Sequence, residues 1–186
     1  MQQNGFALGR YARGALLELK KVSSIAGGGM LAALGVAIKA LYVPLGQALR
    51  ISFAFLTAGL SGYLYGPVVA GFAAMVVDIL GYLIRPEGAY FFGFTFNAFL
   101  NGIIYGCWLW RRPVRLWRSF AACGTSIVAV SFLLNPLWLS ILYGDAWLGL
   151  VLMRIPTNAI LLPINSLMLY ALLRVAERAK RQFIRS

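Results

Sequence analysis

Histidine is absent from the 186 residues, which removes the commonest general base and metal ligand. Acid is scarce as well. Glu18, Asp78, Glu87, Asp145 and Glu177 are the five carboxylates, too few and too scattered to assemble readily into a catalytic pair or a metal cluster, so an enzyme is disfavoured. The two cysteines, Cys107 and Cys123, have neither metal-ligand nor disulfide-framework spacing and are read as packing residues in apolar stretches. No glycine-rich phosphate loop occurs, so the chain has no visible means of using ATP and no cofactor is expected. A clear internal repeat is missing too, although six helices could hide one.

What the sequence has in excess is apolar surface. Hydrophobic residues make up 61% of it, more than an ordinary soluble domain of this length can hide, so the expected solvent is lipid. Six stretches approach the length needed to cross a hydrocarbon core of roughly 30 Å at about 1.5 Å per helical residue. They run Ile25–Val43, Ile51–Tyr65, Gly66–Ile84, Tyr90–Trp110, Phe120–Tyr143 and Trp147–Leu173. Gly66-Pro67 divides the second from the third almost without a loop. The expected fold is an all-α integral membrane protein of six transmembrane helices, with short outer loops capping a ligand cavity.

The net charge of +12 invites a nucleic-acid reading, but its distribution argues against one. Thirteen of the seventeen cations fall in three places: Arg10, Arg13, Lys20 and Lys21; Arg111, Arg112, Arg115 and Arg118; and Arg174, Arg178, Lys180, Arg181 and Arg185. In a six-span chain all three lie on one side, and the positive-inside rule makes that side, with both termini, cytoplasmic. Trp108, Trp110 and Trp117 mark the same interface. Three segments follow: residues 1–23, amphipathic and interfacial; 24–174, the six-helix binding domain; and 175–186, a basic cytoplasmic tail. In the first, Leu8, Tyr11, Ala12, Ala15, Leu16, Leu19 and Val22 share one arc at helical spacing.

The remaining cations, Lys39, Arg50, Arg85 and Arg154, sit in or near the outward half. Charge inside a membrane is costly, about +2.5 to +3.5 kcal/mol for a central arginine on insertion scales, so each case needs a reason. Arg154 and Asn158 are one turn apart, and Asn165, about 1,100° on from Arg154, returns to nearly the same face. Pro156 and Pro163 could rotate parts of that stripe. Tyr90, Phe94, Asn97, Asn101 and Tyr105 form a matching face on the fourth span. Aromatics with interspersed amides suit a flat, hydrogen-bonding ring system, and interhelical hydrogen bonding is the alternative use. Asn135 with Pro136 offers the same choice plus a proline kink. Asp78 either pairs with Lys39, Arg85 or Arg154 or accepts from a ligand amine or amide. Arg50, Arg85 and Arg154 form a cationic rim suited to a carboxylate. On the first span, Gly29, Ala33 and Ala37 leave a row of nearly bare backbone, for this chain's own helices or for a partner protein.

Together these residues resemble a known family, the S components of energy-coupling factor (ECF) vitamin importers. The resemblance spans nearly the whole chain after about Lys20. Leu49-Arg50-Ile51-Ser52-Phe53, Gly66-Pro67, Asp78-Ile79-Leu80-Gly81 and the run from Pro86 through Gly88 and Tyr90-Phe91-Phe92-Gly93-Phe94-Thr95 look most like the folate-specific group. Arg154 followed by Asn158 is similar too, whereas Phe92 and Thr157 depart from the group's frequent proline and lysine. The resemblance implies a multi-pass subunit of the bacterial cell membrane that captures folate outside and delivers it through a T component powered by two separate ATPases. It further implies that Ala33 and Ala37 contact the T component and that Arg154 binds ligand, with Asn158 and the Tyr90–Phe94 region as neighbours. Pantothenate or another small vitamin is an alternative ligand, and a six-helix scaffold protein an alternative function.

Overall fold

The computed structural model describes residues 13–40, 43–44, 50–51, 53–86, 90–144 and 147–185. A helix over residues 13–18 (α1) leads into α2, Val22–Ala40. Two-residue strands β1, Val43–Pro44, and β2, Arg50–Ile51, pair antiparallel, and α3, Ala54–Tyr65, follows. Next come α4, Pro67–Ile84, and α5, Phe92–Leu109. A third long stretch consists of α6, Leu116–Ser126, a π-helical segment, Ile127–Leu134, and α7, Asn135–Tyr143. The last helix, α8, runs Trp147–Arg185. The readings placed on residues 1–12 and on loop residues 45–49, 87–89 and 145–146 lie outside the described residues.

Local chemistry explains the main breaks. Gly66 adopts φ 91°, a left-handed conformation that glycine reaches without a Cβ clash, and Pro67 takes the first turn of α4, where its missing N–H is no loss. Here the chain reverses between α3 and α4. The first expected span ends three residues early, because Val43 and Pro44 belong to β1, and Ile51 is likewise in β2 rather than in a helix. At the other end, α8 continues through Pro156 and Pro163 and on past Leu173 to Arg185.

Helices α2 to α5 pack as one group, and α6 to α8 join it through α5 and α3. Small side chains recur in the interior, where Ala70, Ser61, Ala122, Ser119 and Thr95 have no exposed surface, alongside the equally buried Leu169 and Leu173. Met30, Leu83, Ile84, Ile141 and Leu152 point outward, each more than 60% exposed. Apolar groups turned outward and small residues at helix contacts suit helices that associate in lipid by close backbone approach. Gly102 and Gly106 show this most directly: a Cβ on the first would collide with the Ala70 carbonyl, and on the second with Pro67.

Among the described residues, four helical stretches are long and apolar enough to cross a membrane: Val22–Lys39, Pro67–Ile84, Leu116–Leu142 and Arg154–Gln182. With 12 residues, α3 reaches only about 18 Å, and α5 carries Asn97 and Asn101, which lower its hydropathy.

The structure narrows one open reading of packing and corrects another. Gly29, Ala33 and Ala37 face outward, and nothing lies within 4 Å of a Cβ placed on Gly29. The inward face of α2 is Gly28, Ala32 and Gly35, which meet Val69, Thr57 and Val77, so the outward row does not pack this chain's own helices. Cys123 is buried, but Cys107 is exposed, because α5 buries Tyr105, Gly106 and Leu109 and Cys107 falls off that face. In the amphipathic segment Ala15 is buried and Leu16 exposed, so the apolar arc divides between the bundle and its surroundings.

Candidate ligand site

Near the β-ribbon end, a polar chain fastens three helices together. Lys39 Nζ on α2 donates to Asp78 Oδ1 on α4 at 2.8 Å. Thr95 Oγ1 on α5 donates to Asp78 Oδ2 at 3.0 Å and pairs with the Tyr90 hydroxyl at 2.8 Å. Of the cations considered for Asp78, Lys39 is therefore the partner. A carboxylate offers roughly four lone-pair sites, so these two bonds leave acceptor capacity. Asp78, Lys39, Thr57 and Asn101 supply the polar lining of a cavity of about 270 Å³ between α2, α3, α4 and α5. The rest of its wall is apolar, including Phe55, Ala74 and Val77. Its size is close to the lower end of small-molecule sites, roughly 300–1,000 Å³.

On the far side of α5 lies a seam of amides. Asn97 Nδ2 donates to Asn135 Oδ1 at 2.7 Å, and Trp138 Nε1 donates to Asn97 Oδ1 at 3.1 Å. Ser126 Oγ donates to Asn101 Oδ1, so Asn101 joins the seam to the cavity. Phe91 lies between Phe94 and Trp138, with ring centroids 5.9 and 5.5 Å away.

The π-helical segment makes the seam possible. Ser126 and Asn135 are nine residues apart, about 900° in an α-helix, which would place them on opposite faces. The intervening i→i+5 winding, about 4.4 residues per turn, brings nine residues close to two whole turns. Both side chains then face Asn101 and Asn97, one α-helical turn apart on α5. The Asn135 N–H bonds to the Val130 carbonyl, an i→i−5 pairing. Pro136 gives the physical cause: its ring would strike the Phe132 carbonyl in a regular helix, and wider winding relieves that contact.

A third polar group lies on α8. Arg154, Asn158 and Asn165 are all half-buried on the continuous helix. Among the described residues, Arg154 and Asn158 make no hydrogen bond or ion pair, and Asn165 Oδ1 is buried without a partner. These residues do not line the cavity between α2 and α5. Arg85 is exposed at the end of α4, and the Arg50 side chain lies outside the described residues.

Residues 24–173 match the ECF transporter substrate-specific component family. The chain belongs to that family. An ECF substrate-specific component is a transporter subunit, not an enzyme, and the chain is accordingly a multi-pass membrane protein. Its relatives include the folate transporter FolT of Clostridium novyi (strain NT), 37% identical over 70% of this chain and 76% of that protein. FolT of Leuconostoc mesenteroides is 33% identical over 67% of this chain and 71% of that protein. A crystal structure of FolT bound with folic acid superposes with a TM-score of 0.73 at 34% identity, covering 82% of this chain and 93% of the other.

Sequence reading singled out Asp78, Asn97, Asn101 and Tyr90, and the structure ties them into the two networks on α5. It did not single out Ser126 or Trp138 as their partners, and it noted Thr95 only as part of the resemblance. Trp138 offered one clue, since a buried indole N–H generally needs an acceptor. The hydroxyls offered none, because serine and threonine are common in membrane helices without any shared site.

Proposed function

We propose that this ECF substrate-specific component captures folate from outside the bacterial cytoplasmic membrane and delivers it through a T component driven by two ATPase subunits. In this reading the chain crosses the membrane six times, with the termini and the three basic clusters cytoplasmic and the β-ribbon end outward, an orientation supported by the positive-inside rule. Similarity to FolT from two organisms and to a folic acid-bound FolT structure carries the ligand assignment.

The polar groups suit that ligand chemically. Asp78 has acceptor capacity for the amino and amide N–H groups of a pterin, and Asn101 offers its amide nitrogen from the cavity wall. Tyr90 and Phe94 supply ring surface nearby. Arg154, with Asn158 one turn further along α8 and Arg50 of β2, binds the anionic glutamate tail, because guanidinium holds carboxylate bidentately. Asn97 acts from behind the site, since both ends of its amide are engaged by Asn135 and Trp138. The outward row Gly29, Ala33 and Ala37 is the surface for the T component.

Mass spectrometry of small molecules released from protein purified out of folate-containing medium tests the ligand. A folate at near-stoichiometric amount is expected. Recovery of pantothenate or another vitamin in its place would overturn the assignment.

A further inference from the structure

The opposite end of the bundle holds a second cavity, of about 340 Å³. It lies where α1, the ends of α3 and α5 and the extended α8 meet. Three cations border it, Arg111, Arg112 and Lys180, against one carboxylate, Glu18. That carboxylate is already engaged: Lys21 Nζ bonds it at 2.9 Å, Ser24 Oγ at 2.8 Å, and Arg111 approaches to 3.6 Å. Among the described residues, Arg112 and Lys180 form no ion pair. The cavity therefore carries uncompensated positive charge.

Arg111 is held in place. Its guanidinium lies 4.3 Å from the centre of the Trp110 ring, and its backbone takes φ 54°, the one positive φ at a non-glycine among the described residues. Such backbone strain persists only where its surroundings fix it, and it gathers at binding sites. Beside the cavity, α1 presents Leu16 and Leu17, each more than half exposed, and Leu64 forms part of the wall. Positive charge next to exposed apolar surface matches an occupant with an anionic head and a hydrocarbon body.

We infer that this cavity is a binding site for the phosphate headgroup of an anionic phospholipid, in the leaflet facing the basic end of the bundle. Basic pockets between membrane helices hold such headgroups by this combination of charge and depth. The inference rests on membrane insertion and on the basic end lying at the interface, and not on the identity of the transported ligand. A lipid held there would join α1 and the end of α8 to the bundle.

Native mass spectrometry of delipidated protein mixed with phosphatidylglycerol or phosphatidylcholine of matched chains tests it. Phosphatidylglycerol should be retained about tenfold over phosphatidylcholine, and the double variant Arg112→Ala with Lys180→Ala should lose roughly 30-fold in phosphatidylglycerol retention. The single variants should each lose about fivefold, and an unchanged thermal transition in detergent shows that the variants fold. Equal retention of the two lipids, or no loss in the variants, overturns the site. Full displacement by millimolar inorganic phosphate overturns a lipid occupant in favour of a free anion. Unchanged lipid retention with lost co-purification of partner subunits overturns it in favour of a protein interface. A folate titration on the same samples is read separately, so failure of the proposed ligand leaves the lipid result standing.

Discussion

Asn97 spends both ends of its amide inside the bundle, accepting from Trp138 and donating to Asn135. Interhelical hydrogen bonds in membranes average about 0.6 kcal/mol, and an orphaned buried donor adds about 1–3 kcal/mol. Asn97→Ala is therefore expected to destabilise the protein by roughly 1–3 kcal/mol, seen as a lower thermal midpoint in detergent. Glu18 behaves differently because it sits outside the membrane-spanning segments. The hydrogen bond from Lys21, reinforced by Ser24 and by the charges of Lys21 and Arg111, outweighs desolvation and holds its carboxyl below the ordinary 4.5. A lowered folded-state pKa makes its contribution fully present above the ordinary value and lost as pH falls through the lowered one. Hydrogen exchange in residues 13–21 should thus accelerate as pH falls from neutral to below the ordinary 4.5, after correction for intrinsic rates, and Glu18→Gln should remove that pH dependence. Asp78 was legible in the sequence because a carboxylate at membrane depth demands a partner. Ser126 was not, since a hydroxyl there makes no comparable demand.

Among the elements, the α3–α4 reversal could be read directly, because Gly66 and Pro67 each act locally on backbone dihedrals. The π-helical segment could not. Ile127–Leu134 is apolar throughout, so no periodicity separates i→i+4 from i→i+5 winding. Pro136 signalled a kink, and the structure answers it with wider winding that aligns Ser126 with Asn135. Alanine is about 3 kcal/mol better than proline in a helix interior, so propensity alone says that Pro136→Ala stabilises. The opposite is expected here: recovery of α-helical register would carry Asn135 away from Asn97 and lower the thermal midpoint. A raised midpoint would show that the register does not depend on Pro136. For α2, sequence left the use of the small-residue row open, and only packing decided that Gly28, Ala32 and Gly35 face inward while Ala33 and Ala37 face out. Ala33→Trp should leave folate binding within about twofold while abolishing uptake in cells, as a radiolabelled transport assay would report.

At the scale of the molecule, apolar composition identified the solvent, and the basic clusters supply the orientation proposed for the bundle. The arrangement of the site was less accessible, because which helices meet is not written in any one helix. Arg154 was one of three cations considered as a partner for Asp78, whereas the structure pairs Asp78 with Lys39 in the α2–α5 cavity and sets Arg154 on α8 outside its wall. Trp138 is hydrogen-bonded to Asn97, one α-helical turn from the cavity residue Asn101, and packs on Phe91 beside the ring-bearing end of α5. Titrating purified protein with folic acid while following tryptophan fluorescence should give saturable quenching at micromolar ligand or below. Arg154→Ala should weaken that binding by about 10- to 100-fold, the range for a lost charged hydrogen bond. Absence of saturation at micromolar folic acid, or an equal response to pantothenate, would contradict folate capture by this chain.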